Sequence, residues 1–197
     1  MTKSVDFYFD FGSPAAYLAY TQLSRLTSDT GATVVMKPIL LGGIFQASGN
    51  RPPASVPLKG SYLFKDMSRF ARRYGVPLNM NPFFPIITTT LMRMDLGLHL
   101  RNDQSLKHFR DTVFQAIWVD ERNLNDPVTA GAVLTEAGFD PTALLALASE
   151  QTIKDELKTV TLAAVERGVF GAPTFFVGNE MFWGQDRLDF VRDALTN

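Results

Sequence analysis

The sequence predicts an α/β fold whose sheet is supplied by the two ends of the chain and whose middle is helical. Two observations carry this. Residues 7–20, FYFDFGSPAAYLAY, pass from period-two alternation to helical spacing across a Gly-Ser-Pro turn. The far end repeats the change of period in reverse order, with a long helical stretch, two short apolar runs around Gly178-Asn179, and a final helix.

At the amino end, Val5, Phe7, Phe9 and Phe11 fall on one side of a strand, with Asp6, Tyr8 and Asp10 on the other. Gly12 breaks the strand, Ser13 is a favoured N-cap and Pro14 suits the first helical position. Ala15, Leu18, Ala19, Leu23 and Leu26 then repeat at helical spacing. TVVMKPILL, residues 33–41, is a β-branched run that suits a second, buried strand and completes a β-α-β unit. Towards the carboxy end, TIKDELKTVTLAAVERGVFG reads as a long helix ending near Gly168. TFFV and EMFW form a hairpin, and DRLDFVRDAL presents Leu188, Val191 and Leu195 on one face of a terminal helix. Between these ends, five segments bounded by Pro, Gly, Asn or Asp are helical, and SGNRPPASVPLKG is the one linker-like stretch. The order is that of a thioredoxin-like domain, residues 1–44 and 151–197, interrupted by a large all-helical insertion, residues 45–150.

Composition narrows the function. The chain has 197 residues, 46% of them hydrophobic, enough for a substantial core. Nineteen basic and 20 acidic residues leave a net charge of −1, which gives no electrostatic footing for nucleic acid or an anionic membrane. A small molecule is therefore the expected partner. With no cysteine, the chain has no disulfide, thiolate metal site or cysteine nucleophile of its own, so any thiol chemistry uses a thiol from outside. No metal-ligand spacing is present, and His99 and His108 fall on helices among basic residues, at the expected surface. MTKSVDFYFDF contains no apolar stretch of signal-peptide length and no run approaches a membrane span, so the expectation is a soluble, cytoplasmic protein.

Three places stand out, each with a plain structural reading beside a functional one. Ser13 caps a helix; it also sits where the first strand of a β-α-β unit meets a helix N-terminus, a place that stabilises anions, and its hydroxyl can donate to a thiolate and lower the pKa of a bound thiol. In GVFGAPTFFV, Pro173 can be an edge proline with a trans bond, or a cis Ala172–Pro173 bond that turns the Ala172 backbone outward to pair with an extended peptide beside Gly171. In WGQDRLDF, Gln185, Asp186 and Arg187 can be a solvated helix start, or they can receive a ligand's α-carboxylate and ammonium. Phe83, Phe84, Trp118 and Trp183 are most simply core, although some could line an apolar pocket.

Four separated motifs, FYFDFGSPAAYLA, SGNRPPASVPLKGSYLFKDMSRFARRYGVP, NPFFPIITTTLMR and FGAPTFFVGNEMFWGQDRL, resemble the 2-hydroxychromene-2-carboxylate isomerases and the related kappa-class glutathione transferases. The resemblance covers essentially the whole chain. It implies a thioredoxin-like fold related to disulfide oxidoreductases of the DsbA type, a homodimer, and glutathione as cofactor. It assigns Ser13 to activation of the glutathione thiol, and Asn50, Lys59, Ala172 with Pro173, and Gln185, Asp186 and Arg187 to contacts with the tripeptide. Phe84, Trp118 and Trp183 are the expected substrate pocket. At Ile86-Ile87-Thr88 the chain departs from the asparagine that many bacterial members carry after the FFP segment. The implied reaction interconverts 2-hydroxychromene-2-carboxylate and trans-o-hydroxybenzylidenepyruvate, a step of aromatic degradation, through reversible thiolate addition. The rival readings are kappa-type transfer or peroxidase chemistry on other electrophiles, and a non-catalytic thioredoxin-like binding module.

Overall fold

The computed structural model describes residues 3–196. β1 (Ser4–Phe9) and β2 (Thr33–Pro38) pair in parallel across α1 (Pro14–Thr30). β3 (Thr174–Val177) pairs antiparallel with the other side of β1, and β4 (Glu180–Trp183) closes a mixed sheet of order β2-β1-β3-β4. Between β2 and β3 run α2 (Leu41–Ser48), α3 (Pro57–Tyr74), α4 (Thr89–Leu100), α5 (Leu106–Trp118), α6 (Pro127–Glu136), α7 (Pro141–Ser149) and α8 (Gln151–Glu166). After β4, a short 3-10 turn leads into α9 (Leu188–Thr196).

The alternation in β1 determines how the sheet is covered. Val5, Phe7, Phe9 and Phe11 are fully buried on one face, where Phe7 stacks on Phe175 of β3 at 5.0 Å and Phe11 meets Phe114 of α5 edge-on. This core takes in α1, α9 through Leu188, Val191 and Leu195, and the buried sides of the inserted helices. Tyr8, on the opposite face, joins a smaller cluster with Ile39, Ile44 of α2, Ala164 of α8, Val169 and Phe176.

β2 is shorter than the run 33–41 suggests. Pro38 offers no N–H to the ladder, Ile39 N–H still donates to Phe9 O of β1 at 3.1 Å, and the two amides after it leave the sheet: Leu40 N–H donates to Thr161 Oγ1 at 3.0 Å and Leu41 N–H to Asp10 Oδ2 at 2.8 Å. The chain therefore turns directly into α2, which spans the position expected to divide the thioredoxin-like part from the insertion.

The inserted helices start where the sequence marks them. Asp126 and Asp140 cap α6 and α7, each followed by a proline at the first helical position. α4 threads between α5, α7 and α8, and two features hold it. Asp95 makes a bidentate pair with Arg110 of α5 at 2.6 and 2.9 Å, with both side chains buried. Gly97 lets α7 approach so closely that a Cβ there would meet the Leu147 side chain at 2.6 Å.

Candidate active site

The site forms where the β1–α1 turn meets α2, the start of α3, and the loop entering α4. Asp10 organises the turn. Its backbone oxygen accepts from Ser13 N–H at 3.1 Å and its Oδ1 from Gly12 N–H at 2.9 Å, so the chain reverses within four residues and presents Ser13 as the cap of α1. The Asp10 carboxylate also ties in two other elements. Oδ2 accepts from Leu41 N–H at the start of α2, and Oδ1 accepts from the Thr88 hydroxyl at 2.5 Å, at the start of α4. Burial pushes the Asp10 carboxyl above the usual carboxylate range, against the pull of the bonds from Thr88, Gly12 and Leu41.

Ser13 is 5% exposed. Its Oγ accepts from Ala16 N–H at 3.1 Å, as an N-cap does, and donates to Ala172 O at 2.8 Å. The hydroxyl therefore joins the start of α1 to the loop before β3, in which the Ala172–Pro173 bond is cis. The Ala172 carbonyl, expected to face a ligand, is occupied by Ser13. The Ala172 N–H has no hydrogen-bond partner among the described residues, and Ala172 is half-buried.

Of the other predicted residues, Asn50 bonds to this loop, while Lys59 lies on α3 and Gln185, Asp186 and Arg187 follow β4. Asn50, just past α2, donates from Nδ2 to Phe170 O at 2.9 Å and so fixes the approach to Ala172. Lys59 lies exposed in the first turn of α3, with no ion pair among the described residues; Pro57 and Gly60 beside it line the cavity described next, and Lys59 itself does not. Gln185 is buried, and its carbonyl accepts from the Tyr74 hydroxyl at 2.7 Å. Burial, with Asp189 and Asp186 nearby, pushes the Tyr74 phenol up to about 12, so it remains a donor. Asp186 and Arg187 are paired with one another at the surface.

A cavity of about 920 Å³ opens beside the turn. Asp10, Gly12, Thr88 and Thr89 contribute polar wall, while Leu40, Leu41, Phe45, Phe64, Phe84 and Ile86 make it apolar. Phe84 belongs to this wall, with its ring edge-on to Phe64 at 5.7 Å. The other two expected pocket residues lie elsewhere. Trp118 is fully buried in the core, its indole N–H satisfied by Phe11 O at 2.8 Å, because it faces inward from the last turn of α5. Trp183 is 46% exposed and rests on Gly171 and Phe170, outside the wall. Ser13 itself stands one residue behind the wall, which here consists of Asp10 and Gly12.

Asp10, Thr88 and Tyr74 are the additions the structure makes to the predicted set. Asp10 had a local signal: an aspartate two residues before a glycine, at the end of an apolar strand, is the pattern of an Asx turn. The partners from α2, α3 and α4 lie 31 to 111 residues away from the groups they bond, and no local pattern marks them.

Together, the four-stranded mixed sheet, a serine at the start of the first helix and the proline loop it bonds define a thioredoxin-fold protein with a serine, and no cysteine, at that corner. The model of the DSBA-like thioredoxin domain matches residues 4–196. A 2-hydroxychromene-2-carboxylate isomerase of Pseudomonas putida is 37% identical over 97% of this chain and 93% of its own length. Human glutathione S-transferase kappa 1 is 24% identical over 99% and 92%. A solved structure of a 2-hydroxychromene-2-carboxylate isomerase superposes with a TM-score of 0.82 at 33% identity, covering 98% of this chain and 94% of that one. The chain belongs to the DSBA-like thioredoxin family, in the group of the 2-hydroxychromene-2-carboxylate isomerases and kappa-class glutathione transferases.

Proposed function

We propose that this protein is a glutathione-dependent isomerase that interconverts 2-hydroxychromene-2-carboxylate and trans-o-hydroxybenzylidenepyruvate. The observation that carries the reading is Ser13: a hydroxyl at the N-terminus of α1, bonded to Ala172 and one residue from a large, mainly apolar cavity. The donor set suits glutathione. The unpartnered Ala172 N–H can receive a peptide carbonyl, Lys59 can meet a carboxylate, and the segment Gln185–Arg187, held by Tyr74, can take the γ-glutamyl end.

Bound glutathione supplies a thiolate nucleophile for reversible addition to the substrate's conjugated system. Ser13 can serve that thiolate only by turning its O–H from Ala172 O towards the cavity, while the Ala16 N–H bond and the other first-turn amides keep the positive end of α1 in place. A helix terminus contributes about 0.3 to 1 kcal/mol, and up to about 2 where partly buried, so with the hydroxyl it lowers a thiol pKa by roughly one to two units. Phe45, Phe64 and Phe84 exclude water from an aromatic substrate.

One observation favours a second reading, kappa-type transfer to an uncharged electrophile: among the described residues, the cavity wall carries Asp10 but no lysine, arginine or histidine to receive a substrate carboxylate. Thiolate absorbance followed as glutathione is titrated into wild type and Ser13→Ala across a pH series tests the shared basis. Binding to both with the thiol pKa less lowered in the variant is the expected result; absence of binding by either would leave Ser13 as a cap only. Turnover of the chromene carboxylate against that of neutral electrophiles then separates the two reactions.

A further inference from the structure

We propose that Asp10 is the proton-holding residue of this site: it takes the proton of the bound thiol and returns it when the thiol is released. This rests on the glutathione reading above. Four observations carry it.

Asp10 is 2% exposed yet lines the cavity, and it is the one titratable side chain in that wall. Among the described residues, the groups packed on its carboxylate from the neighbouring elements are Gly12 N–H of the turn, Leu41 N–H of α2 and the Thr88 hydroxyl before α4, all uncharged, so none of them is a cation that would fix it in the ionised state. These three donors leave acceptor capacity, since Oδ2 receives only the bond from Leu41 and a carboxylate offers about four lone-pair sites. Finally, Gly12 carries no side chain between the carboxylate and the cavity; a Cβ there would stand 3.4 Å from Asp10 Oδ1 and 3.4 Å from Thr88 Cγ2. Burial raises the carboxyl pKa, a shift in the direction the role requires.

The step is balanced within the site. The S–H bond breaks, an O–H bond forms on the Asp10 carboxylate, and the negative charge moves from carboxylate to sulfur, towards the positive end of α1. No proton goes to solvent. On release of the thiol the transfer reverses. Two adjacent negative charges are avoided at every stage, which a permanently ionised Asp10 beside a thiolate would not allow.

The test is to measure protons released to solvent per thiolate formed, by calorimetric titration of glutathione in buffers of different ionisation enthalpy, with thiolate absorbance read in parallel at mildly alkaline pH. Wild type should form thiolate with a ratio near zero, and Asp10→Asn with a ratio of about one, because its thiol proton has no internal acceptor. Gly12→Ala, whose added methyl makes only ordinary contacts, should move the ratio towards the variant value and provides the check if Asp10→Asn does not fold. A ratio of about one in the wild type overturns the proposal while leaving glutathione binding intact, and so does an equal ratio in wild type and a folded variant. Absence of any glutathione heat in wild type removes both this proposal and the reading beneath it.

Discussion

Asp10 shows how a single carboxylate can fix a turn and carry a pH dependence. Because burial raises its pKa in the folded chain, the fold binds its proton more tightly than the unfolded chain does. The stability it contributes is therefore complete below the ordinary aspartate value of about 4 and is lost as pH rises through the raised value. Asp10→Asn, which cannot ionise, should flatten that part of the profile. Urea unfolding of both proteins at several pH values between about 4 and 7 measures it, and parallel profiles would show that Asp10 titrates alike in the folded and unfolded chains. Ser13 was legible as a cap because Ser-Pro before helical spacing is a local pattern. Its bond to Ala172, 159 residues away, was not, and neither was the pairing of Arg187 with Asp186. Side-chain rotamers at the surface follow from neighbours that spacing does not reveal.

At the scale of elements, α4 depends on a contact between buried charges. Arg110 reaches Asp95 with two hydrogen bonds and lies over the Phe9 ring at 5.4 Å, which connects α5, α4 and β1. Arg110→Ala would leave a buried carboxylate alone and is expected to cost about 3 to 5 kcal/mol, read as a lower urea midpoint with unchanged slope. A loss below about 1 kcal/mol, the range of exposed pairs, would show that water reaches Asp95 in the variant. The helices themselves were largely readable, since Asp-Pro at residues 126–127 and 140–141 and the glycines after α1 and α3 are strong start and stop signals. β2 was misjudged at its end, because residues 39–41 are as apolar as the strand before them. What draws Leu40 and Leu41 away from the sheet is a side chain just past β1 and another on α8, both distant in sequence.

For the whole molecule, the cavity is the part least visible beforehand. Its wall comes from four separate segments, and only their assembly shows that Phe84 belongs to it while Trp118 and Trp183 do not. Aromatic content announced large apolar side chains, but a core and a pocket draw on the same residue types. The sheet that supports the cavity is covered unequally. One face packs against α1, α9 and most of the inserted helices, whereas the other carries only the small cluster around Tyr8, Ile44, Ala164 and Phe176. Local opening is easiest where few apolar contacts must be broken, so amide hydrogen exchange should be faster in α2 than in α1 by at least tenfold. Equal protection of the two helices would show that the thin layer opens only with the whole chain. Since α2 also forms one wall of the cavity, the unequal covering has a kinetic consequence: the wall that α2 supplies, held at its start by bonds to Asp10 and Thr161, is expected to open and close more often than the α1 side, while the opposite layer keeps the sheet folded.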